Sequence, residues 1–85
     1  MNKKFGVKII YTAKDNNPNF KGVVLNSVYG KKGEYEHITD DISVESIVAR
    51  IGWDREYDAK RFIQKDKHYE EYYWTTSYEI ISTEV

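Results

Sequence analysis

Ser43-Val44-Glu45-Ser46-Ile47-Val48-Ala49-Arg50-Ile51-Gly52 is the stretch on which the fold turns. Val44, Ile47, Val48 and Ile51 fall at i, i+3, i+4 and i+7, so a helix through them gathers all four on one apolar stripe. Ser43 is placed to cap its first turn, and Asp40 and Asp41 suit the positive end of its dipole. Arg50 suits the carbonyl end, and Gly52 is expected to end the helix as a left-handed residue. A helix with a single apolar stripe needs an apolar surface to cover, and the flanking sequence supplies strands.

Upstream, Phe5, Val7, Ile9 and Tyr11 recur with a period of two, which predicts a strand over Phe5–Ala13. Lys14-Asp15-Asn16-Asn17-Pro18-Asn19 reads as a turn-rich loop, because Asn and Asp bond their own backbone and Pro fixes φ. A second strand is expected over Gly22–Tyr29. Gly30-Lys31-Lys32-Gly33 reads as a hairpin connection with a glycine on each side for positive φ, leading to a short polar edge strand over Glu34–Thr39. Downstream, Asp54–Lys67 is expected as a second helix, capped by Asp54 and supported by a Glu56–Lys60 pair, with a thin apolar face of Tyr57, Ala59, Phe62 and Ile63. Tyr69–Thr83 is expected as a final strand with Tyr72, Trp74, Tyr78 and Ile80 on one face. The order β-β-β-α-(α)-β implies an α+β fold: a small antiparallel sheet with one or two helices packed on one face. Residues 1–85 form one domain on this reading, with no repeat and no linker.

Composition narrows the chemistry. Eight Tyr, three Phe and two Trp give a short chain the large rings it needs to build a core. There is no Cys, which removes disulfides, thiolate metal sites and cysteine nucleophiles. No stretch approaches the roughly 18 apolar residues that would span a membrane, and Lys8 interrupts any signal-like apolar run near the start. The expectation is a soluble cytoplasmic protein with no membrane partner. The net charge of −1 is unevenly spread. Residues 1–33 hold seven Lys against one Asp, a balance of +6, and residues 34–58 hold eight carboxylates against two Arg, a balance of −6. Residues 59–67 return to +3, and 68–85 carry −4.

No catalytic constellation stands out. His37 and His68 are the two imidazoles, neither lies in a nucleophile–base motif, and Ser43 is accounted for as a cap. Asp15-x-Asn17-x-Asn19 imitates the start of a calcium loop, but Phe20 stands where the glycine is needed and Asn26 where the last glutamate is needed. Gly30-Lys31-Lys32-Gly33 lacks the length and the Ser/Thr of a phosphate-binding loop. The sequence therefore points to no catalytic residue, no metal and no cofactor. Lysines interleaved with aromatics, namely Tyr69, Tyr73, Lys8, Lys31 and Lys32, could build a base-stacking face, yet Glu70, Glu71 and Glu79 sit among those rings. Direct nucleic-acid binding is not expected.

Gly33-Glu34-Tyr35 after the hairpin, Glu45-Ser46-Ile47-Val48 opening the helix, and Gly52-Trp53-Asp54-Arg55-Glu56-Tyr57 after it are similar to segments of small phage-encoded anti-CRISPR proteins that inhibit the type II CRISPR nuclease. The similarity covers residues 31–58. It implies an acidic surface that imitates DNA and occupies the cleft reading the protospacer-adjacent motif, with Glu34, Asp54, Glu56 and Asp58 as the matching acids. The chain departs from that family at Ala59, Lys60 and Arg61, where the family is most acidic, and at Lys31-Lys32, where it carries an acid.

Together these readings imply a non-enzymatic protein-binding module, in its sharpest form a phage or mobile-element inhibitor of a host nucleic-acid-handling enzyme. Its contact residues would be Glu34, Glu36, Asp40, Asp41, Trp53, Asp54, Glu56, Tyr57 and Asp58, facing a basic protein partner such as a host defence nuclease. The alternative is a single-stranded nucleic-acid-binding domain using sheet aromatics and lysines. The helical stripe carries the first prediction: Ile47→Ala lowers unfolding stability by about 2–5 kcal/mol in urea titration, the cost of a core cavity.

Overall fold

The computed structural model of the protein describes residues 2–66 and 73–85. Strand β1 runs Lys3–Ala13, β2 Val24–Tyr29 and β3 Tyr35–His37; helix α1 runs Val44–Ile51 and α2 Glu56–Asp66; β4 runs Trp74–Glu84. The strands form one antiparallel sheet in the order β3-β2-β1-β4, so the first strand of the chain lies between the second and the last. This is the expected α+β fold with the expected element order. The expected beginning of the last strand, Tyr69 to Tyr72, falls outside the described residues.

Local sequence explains most element ends. The Ser43 hydroxyl accepts a hydrogen bond from the Ser46 N–H at 3.1 Å, which satisfies one of the free donors of α1. In the loop after β1, the Asn17 side-chain oxygen accepts from the N–H groups of Asn19 and Phe20, and its amide donates to the Tyr73 carbonyl. Asn17 is thereby buried as a tie between the loop and the start of β4. Phe20 closes over Trp74, their ring centres 5.8 Å apart.

Both faces of the sheet are covered at its centre. Residues that pair across antiparallel strands share a face. Lys8 pairs with Val28, and Gly6 with Ile81, so Gly6, Val28 and Ile81 lie on one side. There Val28 packs with Ile47, Val48 and Ile51 of α1, joined by Ile38, Val44 and Ile81. Val7 pairs with Tyr29 and Ile80, which puts these residues on the other side. There Val7 and Ile9 pack with Ala59 of α2, flanked by Phe5, Tyr29, Phe62, Ile63, Tyr78 and Ile80. The reading of helices on one face thus holds for α1, while α2 takes the opposite face.

The reason lies in residues 51–53. Trp53 pairs with Phe5 as an isolated antiparallel bridge, Phe5 N–H to Trp53 carbonyl and Trp53 N–H to Phe5 carbonyl, both at 2.8 Å. Trp53 therefore occupies a place in the sheet beside the beginning of β1, where β2 has already turned away at Gly30. The chain passes through the plane of the sheet at that point and emerges on the other side as α2.

Glycines open the passage. A Cβ on Gly30 would lie 2.6 Å from the Ile51 carbonyl carbon and 2.8 Å from its Cγ1. A Cβ on Gly52 would lie 2.5 Å from the Val48 carbonyl oxygen and 2.9 Å from that of Phe5. Real Cβ atoms do not come so close to backbone, so both positions exclude any side chain. Neither glycine is used for positive φ. Gly30 sits at φ −136° and Gly52 at φ −66°, ψ 162°, extended rather than left-handed. In the hairpin the positive φ values fall at Lys32 (61°) and Gly33 (75°).

The two kinds of glycine predict two different costs. Gly30→Ala meets the Ile51 backbone and lowers stability by about 3 kcal/mol or more, the upper end of overpacking. Gly22→Ala has φ +80° and open space around it, and so loses only about 1–2 kcal/mol to backbone strain. Urea-denaturation midpoints of the two variants measure the difference.

Candidate interaction surface

Hydrogen-bonded strands bring a row of rings together on the α2 face. His37 and Tyr35 come from β3, Tyr29 from β2, Phe62 from α2 and Trp53 from the crossing point. Tyr29 pairs with Tyr35, and Phe5, beside Val7 on the same side, pairs with Trp53; each ring thus points to this face. Ring centres are 5.6 Å apart for His37–Tyr35, 5.1 Å for Tyr35–Tyr29, 5.4 Å for Tyr29–Phe62 and 5.3 Å for Phe62–Trp53. These are ordinary aromatic packing distances, in tilted, stacked and edge-on pairs. The row is half-buried at Tyr29 and exposed at Tyr35, which is 55% exposed. Tyr57, on α2, is 61% exposed, and the Arg61 guanidinium lies 5.9 Å from its ring centre.

At the Trp53 end the row opens into a cleft of about 240 Å³, lined by Lys32, Gly33, Trp53, Asp58, Arg61, Phe62 and Lys65. The hairpin turn forms one wall and α2 the other.

The nine residues expected to form one contact surface are divided by the sheet. Glu36 lies opposite Val28, on the α1 face, and is ion-paired with Arg50. Asp54 is ion-paired with Lys4. Its expected role as cap of α2 is not realised, because the helix begins two residues later at Glu56. Asp58 is paired with Arg55 across one turn at 3.3 Å. The expected Glu56–Lys60 pair is not among the ion pairs of the described residues. Glu34, Asp40, Asp41 and Glu56 make no ion pair there either, and all four are exposed. Glu56, Tyr57 and Asp58 follow one another on α2, while Asp40 and Asp41 precede α1. Trp53 is half-buried, its ring against Phe62.

The lysines and tyrosine named for a base-stacking face are also separated. Lys8 lies on the α1 side, opposite Val28 and Glu79. Lys32 lines the cleft on the other side. Tyr73 precedes Trp74, which pairs with Ala13 at the far end of β1. Residue spacing along a strand showed which side chains alternate, but not that a crossing chain would assign the two helices to different faces. The ring row had one signal in sequence, Tyr29 and Tyr35 flanking a short hairpin, that could have flagged it.

Among the described residues no group of three His, Cys, Asp or Glu could hold a metal ion. The Ser27 hydroxyl and the His37 Nδ1 are 2.8 Å apart, an isolated pair across two strands. No helix of the described residues is long and apolar enough to cross a membrane. Compared with protein-family models, with curated proteins and with solved structures, the chain finds no match.

One titration follows from the geometry. The Lys4 ammonium, by hydrogen bond and by charge, holds the Asp54 carboxyl below its usual value of 3.8, with Lys31 adding a smaller pull. A carboxyl lowered in the folded state stabilises the fold above its unfolded pKa, and that contribution is lost as pH falls through the folded value. Asp54→Asn is therefore less stable than the parent at neutral pH, by a small margin because the pair is exposed. The two stability curves converge below about pH 4 as Asp54 protonates, which thermal denaturation as a function of pH reads directly.

Proposed function

We propose that the protein is a non-enzymatic protein-binding module that meets its partner through the α2 face. The observation that carries this reading is the row of five rings from His37 to Trp53, whose outer member Tyr35 is exposed. Rings held by one another lose little freedom on binding, and Tyr and Trp are the residues that dominate protein interfaces. Glu34 and Glu56 are exposed carboxylates next in sequence to Tyr35 and Tyr57, which favours a partner with basic groups. The similarity of residues 31–58 sharpens the proposal to an inhibitor of a host nucleic-acid-handling nuclease, carried by a phage or mobile element.

Ion pairing decides how the test is built. Reversing Asp54 or Asp58 also breaks an internal pair, so those two variants mix stability with binding. Glu34→Lys and Glu56→Lys act on the surface alone. On a partner recovered by affinity pull-down, both are expected to slow association and flatten its salt dependence, with an unchanged urea midpoint. Tyr35→Ala and Tyr57→Ala are each expected to weaken binding about tenfold or more, the scale of an interface hot spot. Wild-type affinity in all four variants would remove the α2 face from the interface.

A further inference from the structure

The cleft at the Trp53 end of the ring row concentrates positive charge that the protein does not neutralise. Lys32, Arg61 and Lys65 line it, and none of them is in an ion pair among the described residues. The one carboxylate in the lining, Asp58, is engaged by Arg55, which lies outside the lining. Like charges gathered around one concavity repel, and a bound anion relieves that repulsion. The walls are also oriented in advance. Arg61 rests on the Tyr57 ring, and Trp53 and Phe62 are packed against each other.

The hairpin wall adds a second sign. Lys32 has φ 61°, a left-handed conformation in which glycine or asparagine is the unstrained choice. A lysine kept there puts a cation at the cleft at the expense of backbone strain, the pattern expected where a residue is held for function.

From these features we infer that the cleft is a binding site for a phosphate monoester that also carries a planar ring, with the chemistry of a free nucleoside monophosphate. Arg61 and the two lysines match a phosphate dianion, and guanidinium groups bind phosphate through two parallel hydrogen bonds. Trp53 and Phe62 offer apolar ring surface, which inorganic phosphate alone would leave unused. The volume of about 240 Å³ holds part of one such molecule and not a run of several units. Asp58, in the lining itself, disfavours a continuing phosphate chain. This inference goes beyond the protein-contact reading and stands without it.

The test is a titration of the full chain with adenosine monophosphate, inorganic phosphate and an oligothymidylate of eight residues, followed by amide and indole NMR shifts. Adenosine monophosphate is expected to move the Lys32, Gly33 and Trp53 signals and to bind at least tenfold tighter than inorganic phosphate. Lys65→Glu is expected to weaken it at least tenfold. Lys32→Gly removes the cation while relieving the backbone, so it is expected to weaken binding in a protein whose urea midpoint is no lower than the parent's. Absence of saturable shifts with adenosine monophosphate up to 10 millimolar (about the weakest affinity worth calling a site) would overturn the inference. Equal affinity for inorganic phosphate, tighter binding of the oligonucleotide, or indifference to both substitutions would overturn it as well.

Discussion

Two backbone hydrogen bonds between Phe5 and Trp53 hold the chain where it passes through the plane of the sheet. The rest of the structure depends on that passage. It ends α1 on one face and starts α2 on the other, and so covers both Val28 and Val7 in a chain of only 85 residues. A sheet this small, covered on one face, would leave half its aliphatic residues in water. Covering both faces makes a two-sided core from two short helices. The cost is steric and falls on Gly30 and Gly52, which have no side chain to give. It is also topological, because Trp53 must stop the extension of β2 in order to take its place beside β1.

The charge pattern makes more sense once folded. The acidic stretch 34–58 is flanked in sequence by basic segments, and the fold brings Lys4 to Asp54, Arg50 to Glu36 and Arg55 to Asp58. Exposed pairs of this kind contribute about 0–1 kcal/mol each, so they do little to hold the fold together. Their effect is to divide the carboxylates into two sets. Three are committed internally, and Glu34, Asp40, Asp41, Glu45 and Glu56 keep their charge for the solvent. The basic run after Asp58 resolves in the same way, since Arg61 and Lys65 turn toward the cleft and not toward the acids before them.

Much of the fold was legible in sequence because its signals are local. The stripe of Val44, Ile47, Val48 and Ile51 gave α1, and all but Val44 are fully buried. Ser43 caps as its position implies. Alternation gave β1 and β2 within two residues, and the edge position of β3 followed from its polarity. What was not legible depended on residues far apart. Gly52 was read as a left-handed terminator because glycine after a helix usually is one, whereas here it is needed for close approach to Val48 and Phe5. That reason is invisible until Phe5 is beside it. The thin apolar face of α2 was visible, but periodicity cannot say which side of a sheet a helix will choose. The candidate site suffered most. Its carboxylates were read as one surface from their nearness in sequence, and the crossing at Trp53 separates neighbours in sequence onto opposite faces. The cleft escaped notice because Lys32 and Lys65 lie 33 positions apart, with nothing in either neighbourhood to connect them.

The central position of β1 has a consequence for the order in which the molecule can assemble. Val7 pairs with Tyr29, 22 positions along the chain, and with Ile80, 73 positions along. Closing the longer loop costs about 1 kcal/mol more entropy if the chain between is still flexible. Contacts of long sequence separation also slow the search for the native arrangement. During synthesis the difference is one of time as well, since β1, β2 and both helices are complete before residues 74–84 have been made. Throughout that interval the outer edge of β1 offers eleven residues of unpaired backbone, an edge to which another nascent copy could add. The last strand is thus the closure that ends this exposure.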